Sequence, residues 1–325
     1  MSPPRVAVMG AGAVGSYLGS CLAVAGADVH LIARGTHLAA LRERGLTLMT
    51  PEGGRSTVEV QATGDPAEVG PVDVVLFLVK SYDTEEAASR LPPLIGEETA
   101  VLSLQNGIDN EDRIAAVVGK DHVLGGAAYI LSAIEAPGVV RSGLARIVVG
   151  ELAPGPPSER VTRFVELARA GGIDAHAAAD VRTVKWEKYV LLVAFSAVTA
   201  ATQLTVGDIR ASEAASALLR SIMAEAWAVG RALGVPLADD LVDRQHALVL
   251  AQRDDEGTSL RHDLLTGHRM ELEALQGTLR RLGRETGIPT PSTDVAYAIL
   301  QPWALRNEHR SKEATAAVAA AGAPA

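Results

Sequence analysis

The chain is poor in several things, and each scarcity removes a class of function. A single cysteine, Cys21, in 325 residues excludes an internal disulfide framework and a cysteine-rich metal site, and it suits a reducing cytoplasm. Aromatic residues make up 3% of the chain, too few for a platform on which single-stranded nucleic acid would stack. Basic residues are in the minority: 30 Lys and Arg against 39 Asp and Glu give a formal net charge of −9. Such a surface argues against nucleic acid or an anionic membrane as principal partner, although one local basic pocket can still hold a phosphate. Long hydrophobic runs are missing too. The stretch from Val6 to Ala27 is broken by Gly10, Gly12, Gly15 and Gly19, and it lacks the basic flank and cleavage pattern of a signal peptide. The longest later run, Val190 to Ala201, contains Ser196 and Thr199 and is too short to span a bilayer.

What is present points to two globular domains. With 48% hydrophobic and 21% charged residues the chain can bury large cores, and its length exceeds one average domain. Strand and helix patterns alternate in the first half: a strand at Arg5 to Met9, a helix at Ala13 to Ala25, a strand at Asp28 to Ile32 and a helix at His37 to Arg44. Val72 to Val79 and Ala100 to Leu104 are near-continuous apolar runs, as expected of strands buried on both faces of a parallel sheet, with a helix at Glu85 to Leu91 between them. Short strands and hairpins at the sheet edge are expected from Val123 to Val149, followed by a helix capped by Ser158. After Asp180 long helical patterns take over: Val181 to Ala201, Ser212 to Leu233, Ala238 to Ala251, Arg269 to Glu285 and Asp294 to Arg306. The expected architecture is an α/β Rossmann dinucleotide-binding domain over residues 1–178 and an all-α domain over 179–310. The alanine-rich stretch 311–325 is expected to be a disordered tail.

Gly10-Ala11-Gly12-Ala13-Val14-Gly15 follows an apolar strand and opens a helix, the context a dinucleotide-binding turn requires. The first glycine permits the tight turn, the second lets the backbone approach a pyrophosphate, and the third lets helix and strand pack closely. The second strand ends His30-Leu31-Ile32-Ala33-Arg34, with no acid to hold a ribose 2′-hydroxyl. Arg34 is a fork suited to the 2′-phosphate of NADPH, the expected cofactor, unless it is merely an exposed surface arginine. Lys80 and Gln105-Asn106-Gly107 follow the next two buried strands, at the edge where open α/β sheets bind ligands. A solvated lysine and an Asn-Gly turn account for them equally well on local grounds.

In the helical half, Lys188 enters an apolar helix in Trp186-Glu187-Lys188-Tyr189, in one row with Leu192 and Ser196. Ser259 precedes a helix, and Glu271 precedes the leucine stripe Leu272, Leu275, Leu279 and Leu282. Taken singly, a snorkelling lysine, a capping serine and a solvated glutamate explain these residues better than any catalytic role. The segment Val190 to Thr202 fits either the core of the helical domain or a homodimer interface.

In combination these features resemble the ketopantoate reductase (2-dehydropantoate 2-reductase) family. The likeness rests on the glycine turn, Arg34, Lys80, Asn106-Gly107, Trp186-x-Lys188, Ser259-Leu-Arg-His-Asp263, Gly267-His-Arg-Met-Glu271, Gly277 and Gly287-Ile-Pro-Thr-Pro291. It spans roughly residues 5 to 300. It implies a Rossmann domain joined to a helical domain, with NADPH and a 2-oxo acid between them. Carried over by position, Gly10, Gly12, Ala13, Val14, Gly15, Arg34, Lys80 and Asn106 would bind the cofactor. Lys188 would be the general acid and Glu271 its partner at the reacting centre. Asn106, Lys188, Leu192, Ser196, Ser259 and Glu271 would face the substrate. Three positions depart from the family pattern. Leu192 and Ser196 stand where asparagines are usual, and Glu256 stands at a third amide-type position. The resemblance therefore implies reduction of ketopantoate to pantoate. The departures favour a same-fold reductase of a more apolar ketone or imine, and a non-catalytic NADPH sensor is the third reading.

Overall fold

The computed structural model describes residues 3–50, 53–141 and 143–321 and divides into two compact units, Met1–Lys185 and Trp186–Ala325. The division falls later than residue 178 because the first turn of the connecting helix packs on the first unit. Val181 there sits against Gly150 and Gly125, where added β-carbons would lie 3.0 and 3.1 Å from its side chain. Lys185 is paired with Glu111, both buried.

The first unit opens with β1 (Arg5–Met9), α1 (Ala13–Val24) and β2 (Asp28–Ile32), then α2 (Gly35–Arg44), β3 (Leu46–Met49), β4 (Arg55–Val58) and β5 (Gln61–Thr63). It continues through β6 (Val74–Phe77), the short α3 (Thr84–Ala88), β7 (Ala100–Ser103), α4 (Asn110–Val118) and β8 (Val123–Ile130). β9 (Ala133–Ala136), β10 (Val139–Arg141), β11 (Ala145–Glu151), α5 (Glu159–Ala170), β12 (Asp174–Ala177) and the start of α6 (Val181–Thr202) complete it. The main sheet runs β12-β11-β8-β7-β6-β1-β2-β5, parallel throughout except for the β8–β11 pair. Alternation along β1 supplies both cores: Val6 and Val8 face Leu18, Leu22 and Phe164, while Ala7 and Met9 face Phe77, Leu91 and Ile114.

The region expected to form edge hairpins does two things instead. β8 and β11 pair as long strands inside the main sheet, whereas β9 and β10 join β3 and β4 in a second sheet of order β4-β3-β10-β9. β4, with the sequence Arg-Ser-Thr-Val and mostly exposed, carries no buried-strand pattern that would announce it.

The second unit holds the rest of α6, then α7 (Val206–Ala211), α8 (Glu213–Ala232), α9 (Leu241–Leu250), α10 (Ser259–Thr266), α11 (Thr278–Thr286) and α12 (Pro291–Ala321). The helix expected from Arg269 starts later. Residues Glu273–Gly277 form a π-helical segment ahead of α11, in which the Gly277 N–H donates to the Leu272 carbonyl at 3.0 Å. α12 runs past Arg306 to Ala321, through most of the stretch expected to be a disordered tail, and 322–325 lie outside the described residues. The α6 residues Val193 to Ala200 are buried within the single chain, which answers how that apolar segment is covered. No helix among the described residues is long and apolar enough to cross a membrane.

Candidate active site

The main sheet has its switch point beside β1, where the chain pairs first with β2 on one side and later with β6 on the other. Ligands of open α/β sheets bind at such a point, outside the C-terminal strand ends. Gly10 leaves β1 there with φ +100°, and an added Cβ would lie 2.6 Å from the Val79 nitrogen, so only glycine fits. A Cβ on Gly15 would come within contact of the Gly10 carbonyl oxygen and push α1 off β1. Gly12, the N-cap of α1, is exposed, and a Cβ there would meet nothing within 4 Å. No side chain among the described residues caps this helix, so the first-turn N–H groups of Ala13, Val14 and Gly15 form an open, positive end. That cradle fits a dinucleotide pyrophosphate.

Arg34 stands where expected, at the exit of β2 as the N-cap of α2, with 58% of its side chain exposed. Its guanidinium lies 3.7 Å from Glu86 and 4.0 Å from Asp83. Ion pairs this long and solvated hold little energy, so a phosphate can displace them. Lys80 is exposed three residues past the end of β6, and Asn106 is half-buried three residues past β7. The neighbouring Gln105 is engaged within the fold: its amide donates to the Val79 carbonyl and to Thr84 Oγ1, both at 2.9 Å, tying the exit of β7 to that of β6. Asn110 Nδ2 donates to the Asn106 carbonyl at 2.9 Å, and Gly107 turns the chain with φ +103°. The glycines, Arg34, Lys80 and Asn106 thus share one edge of the sheet.

In the helical unit the buried Trp186 anchors α6. Its ring lies where a Cβ on Gly230 of α8 would come within 2.8 Å, and it meets Tyr189 edge to face at 5.5 Å. The Tyr189 hydroxyl donates to the Leu275 carbonyl at 2.6 Å. Lys188 and Leu192, on another face of the helix, are half-buried. Ser196 departs from expectation, being only 1% exposed. It donates to the Val193 carbonyl at 3.3 Å and accepts from Gln276 Nε2 at 2.8 Å. Its hydroxyl is consumed inside the helical core, whereas a substrate-binding group would have to be offered outward. The cap of α10 is Thr258, whose side chain accepts from the Arg261 N–H, and Ser259 beside it is exposed. Glu271 is half-buried immediately before the π-helical segment, and Glu256 accepts the Val206 N–H through its main-chain carbonyl.

Two arrangements here were not read from the sequence. His37, one turn into α2, bridges Ser16 and Gly138, and burial pushes its pKa below the usual imidazole value. Gln276 reaches Ser196 and the Val193 carbonyl from the π-helical segment. The bridges from His37 to Gly138 and from Gln276 to Ser196 join residues far apart in sequence, so no local pattern reveals them.

A parallel sheet with a glycine cradle at its switch point, followed by a helical unit presenting a half-buried lysine, defines a two-unit dinucleotide-dependent oxidoreductase. Residues 6–154 match the family described as Ketopantoate reductase PanE/ApbA, and residues 180–304 match its C-terminal counterpart. The 2-dehydropantoate 2-reductase of Mesorhizobium japonicum is 33% identical, over 93% of this chain and 98% of that one. A PanE/ApbA family ketopantoate reductase from Ralstonia eutropha superposes with a TM-score of 0.86 at 35% identity, covering 94% of this chain and all of that one. The chain belongs to the ketopantoate reductase family, a family of NAD(P)-dependent oxidoreductases. A D-mandelate dehydrogenase solved with NADH and anilino(oxo)acetate shares the fold, with a TM-score of 0.85 at 21% identity.

Proposed function

We propose that the protein is a cytoplasmic reductase of 2-dehydropantoate (ketopantoate), forming pantoate at the expense of NADPH. The observation that carries this reading is Lys188, half-buried on a helix anchored by Trp186, in a chain whose other unit holds a complete dinucleotide cradle. When bound, NADPH supplies a hydride to the C2 carbonyl of the 2-oxo acid. The Lys188 ammonium would stabilise the negative charge that grows on that oxygen and then protonate it. Glu271 would accept a substrate hydroxyl and keep the ammonium charged, Ser259 would donate to the substrate carboxylate, and Asn106 would orient the carbonyl. At the cofactor end, the α1 N-terminus would hold the pyrophosphate, Arg34 the 2′-phosphate and Lys80 the adenosine side. The absence of an acid at the end of β2 supports NADPH over NADH.

Leu192 favours a second reading, a more apolar ketone or imine as substrate, because it places an apolar half-buried side chain one turn beyond Lys188. A third reading, a non-catalytic NADPH sensor, is opposed by the presence of both Lys188 and Glu271. NADPH oxidation against a panel of 2-oxo acids and imines separates these readings. Ketopantoate should be the preferred acceptor, and Lys188→Ala should lower kcat by about a thousandfold. Preference for a bulkier apolar acceptor would transfer the assignment to the second reading, and NADPH binding without any turnover to the third. The same preparation in light scattering tests the expected homodimer.

A further inference from the structure

His37 makes a directional chain of hydrogen bonds that no catalytic role requires. The Gly138 N–H points at His37 Nδ1 from 3.1 Å, and a main-chain N–H can only donate. Nδ1 must therefore be the bare, accepting nitrogen, and Nε2 carries the proton. Nε2 lies 3.1 Å from Ser16 Oγ, so Nε2–H donates to that hydroxyl, which in turn donates to the Ala11 carbonyl at 3.1 Å. Ser16 is fully buried, and every group in the chain is satisfied in one direction only. Gly138, with φ +76°, lets its turn sit against α2, where a Cβ would lie 3.1 Å from that of Ala40.

The ends of this relay matter. Ala11 lies inside the glycine turn, and His37 follows Arg34 by one helical turn. The Ala11 N–H also donates to the Ile32 carbonyl at 3.0 Å, holding the turn to β2 from its other side. We propose that His37 is a positioning residue that sets the separation between the two anion-binding points of the cofactor: the N-terminus of α1, and Arg34 at the start of α2. The inference rests on the NADPH reading given above. NADPH engages both points, whereas NADH, lacking the 2′-phosphate, depends on the first. Loosening α2 against the glycine turn should therefore weaken NADPH much more than NADH.

The test is direct titration of NADPH and NADH by fluorescence, with thermal unfolding measured in parallel. His37→Ala should weaken NADPH about tenfold, the worth of one or two hydrogen bonds, and NADH by no more than about twofold. Ser16→Ala, which leaves His37 and its bond to Gly138 in place, should lower the NADPH-to-NADH preference in the same direction. His37→Gln can place an amide nitrogen near the Nε2 position and should restore most of the preference. His37→Asn reproduces only the Nδ1 acceptor and should restore less. If His37→Ala does not fold, Ser16→Ala and the Gln and Asn variants decide the matter. Equal losses for both cofactors, or a lowered Tm with the wild-type preference intact, would reduce His37 to a packing residue and overturn the proposal. A wild-type protein that binds NADH as tightly as NADPH would instead overturn the Arg34 reading, so the two failures are distinguishable.

Discussion

On the reading proposed above, the two units would hold their functional groups by different means. In the first, backbone would hold the pyrophosphate, with Gly10 and Gly15 keeping side chains away from the open N-terminus of α1, and the Arg34, Lys80 and Asn106 side chains would complete the cofactor site. In the second, side chains would do the chemistry on a plain helical support, with Lys188 and Leu192 half-buried on α6 and Ser196 drawn into its core. The difference teaches where this protein can change. Gly10 and Gly15 tolerate almost no substitution, whereas a helix face can exchange Leu192 for another residue without disturbing Lys188 one turn away. On this reading cofactor use and substrate choice would be separable in this chain.

Gly15→Ala should break the comparison most severely. Its Cβ collides with the Gly10 carbonyl oxygen, a backbone atom that cannot step aside. We expect roughly hundredfold or greater loss of NADPH affinity, with a destabilisation of about 2–3 kcal/mol in urea unfolding. Arg34→Ala comes next, a side-chain change in the backbone-built unit. It should weaken NADPH about thirtyfold through loss of a charge-assisted contact while leaving NADH within about twofold. Equal effects on the two cofactors would show that Arg34 does not meet the 2′-phosphate. Leu192→Asn probes the helical unit: kcat/KM for ketopantoate should rise about tenfold if Leu192 faces the substrate, with cofactor affinity unaltered. An unchanged value would place Leu192 outside the substrate's reach.

The smallest expected effect is a pH dependence. His37 is held below its ordinary pKa by burial, so below that ordinary value the unfolded chain takes up a proton that the folded chain refuses. Its contribution to stability is complete above about pH 6.5 and is lost as the pH falls toward the folded-state pKa. The slope of Tm against pH over that interval should flatten in His37→Gln.

Much of the first unit was legible because its strands are buried on both faces and its ligand edge follows from topology. β1, β2, β6 and β7 announce themselves as apolar runs, and Gly10, Arg34, Lys80 and Asn106 each follow one of them. β4 was not legible, because an exposed polar strand carries no hydrophobic period. In the second unit the helices were visible and their partners were not. Ser196 shares a helical row with Lys188, yet whether it faces ligand or core depends on Gln276, which lies far along the chain. The relay through His37 was hidden for the same reason: Gly138 reaches it from the second sheet.

The π-helical segment Glu273–Gly277 is a wide first turn ahead of α11. A turn closed by five residues instead of four holds one residue more than an α-helical turn, and each residue of an α-helix advances the rotation by about 100°. Glu271 lies in non-helical chain just ahead of this turn and is half-buried, while Leu275 within it and Leu279 beyond it are both buried. Deleting one residue between Glu273 and Gly277 would remove the wide turn and rotate Leu275 relative to Leu279 by about 100°. The wide turn is what carries the chain from non-helical Glu271 into α11 with Leu275 and Leu279 both in the core.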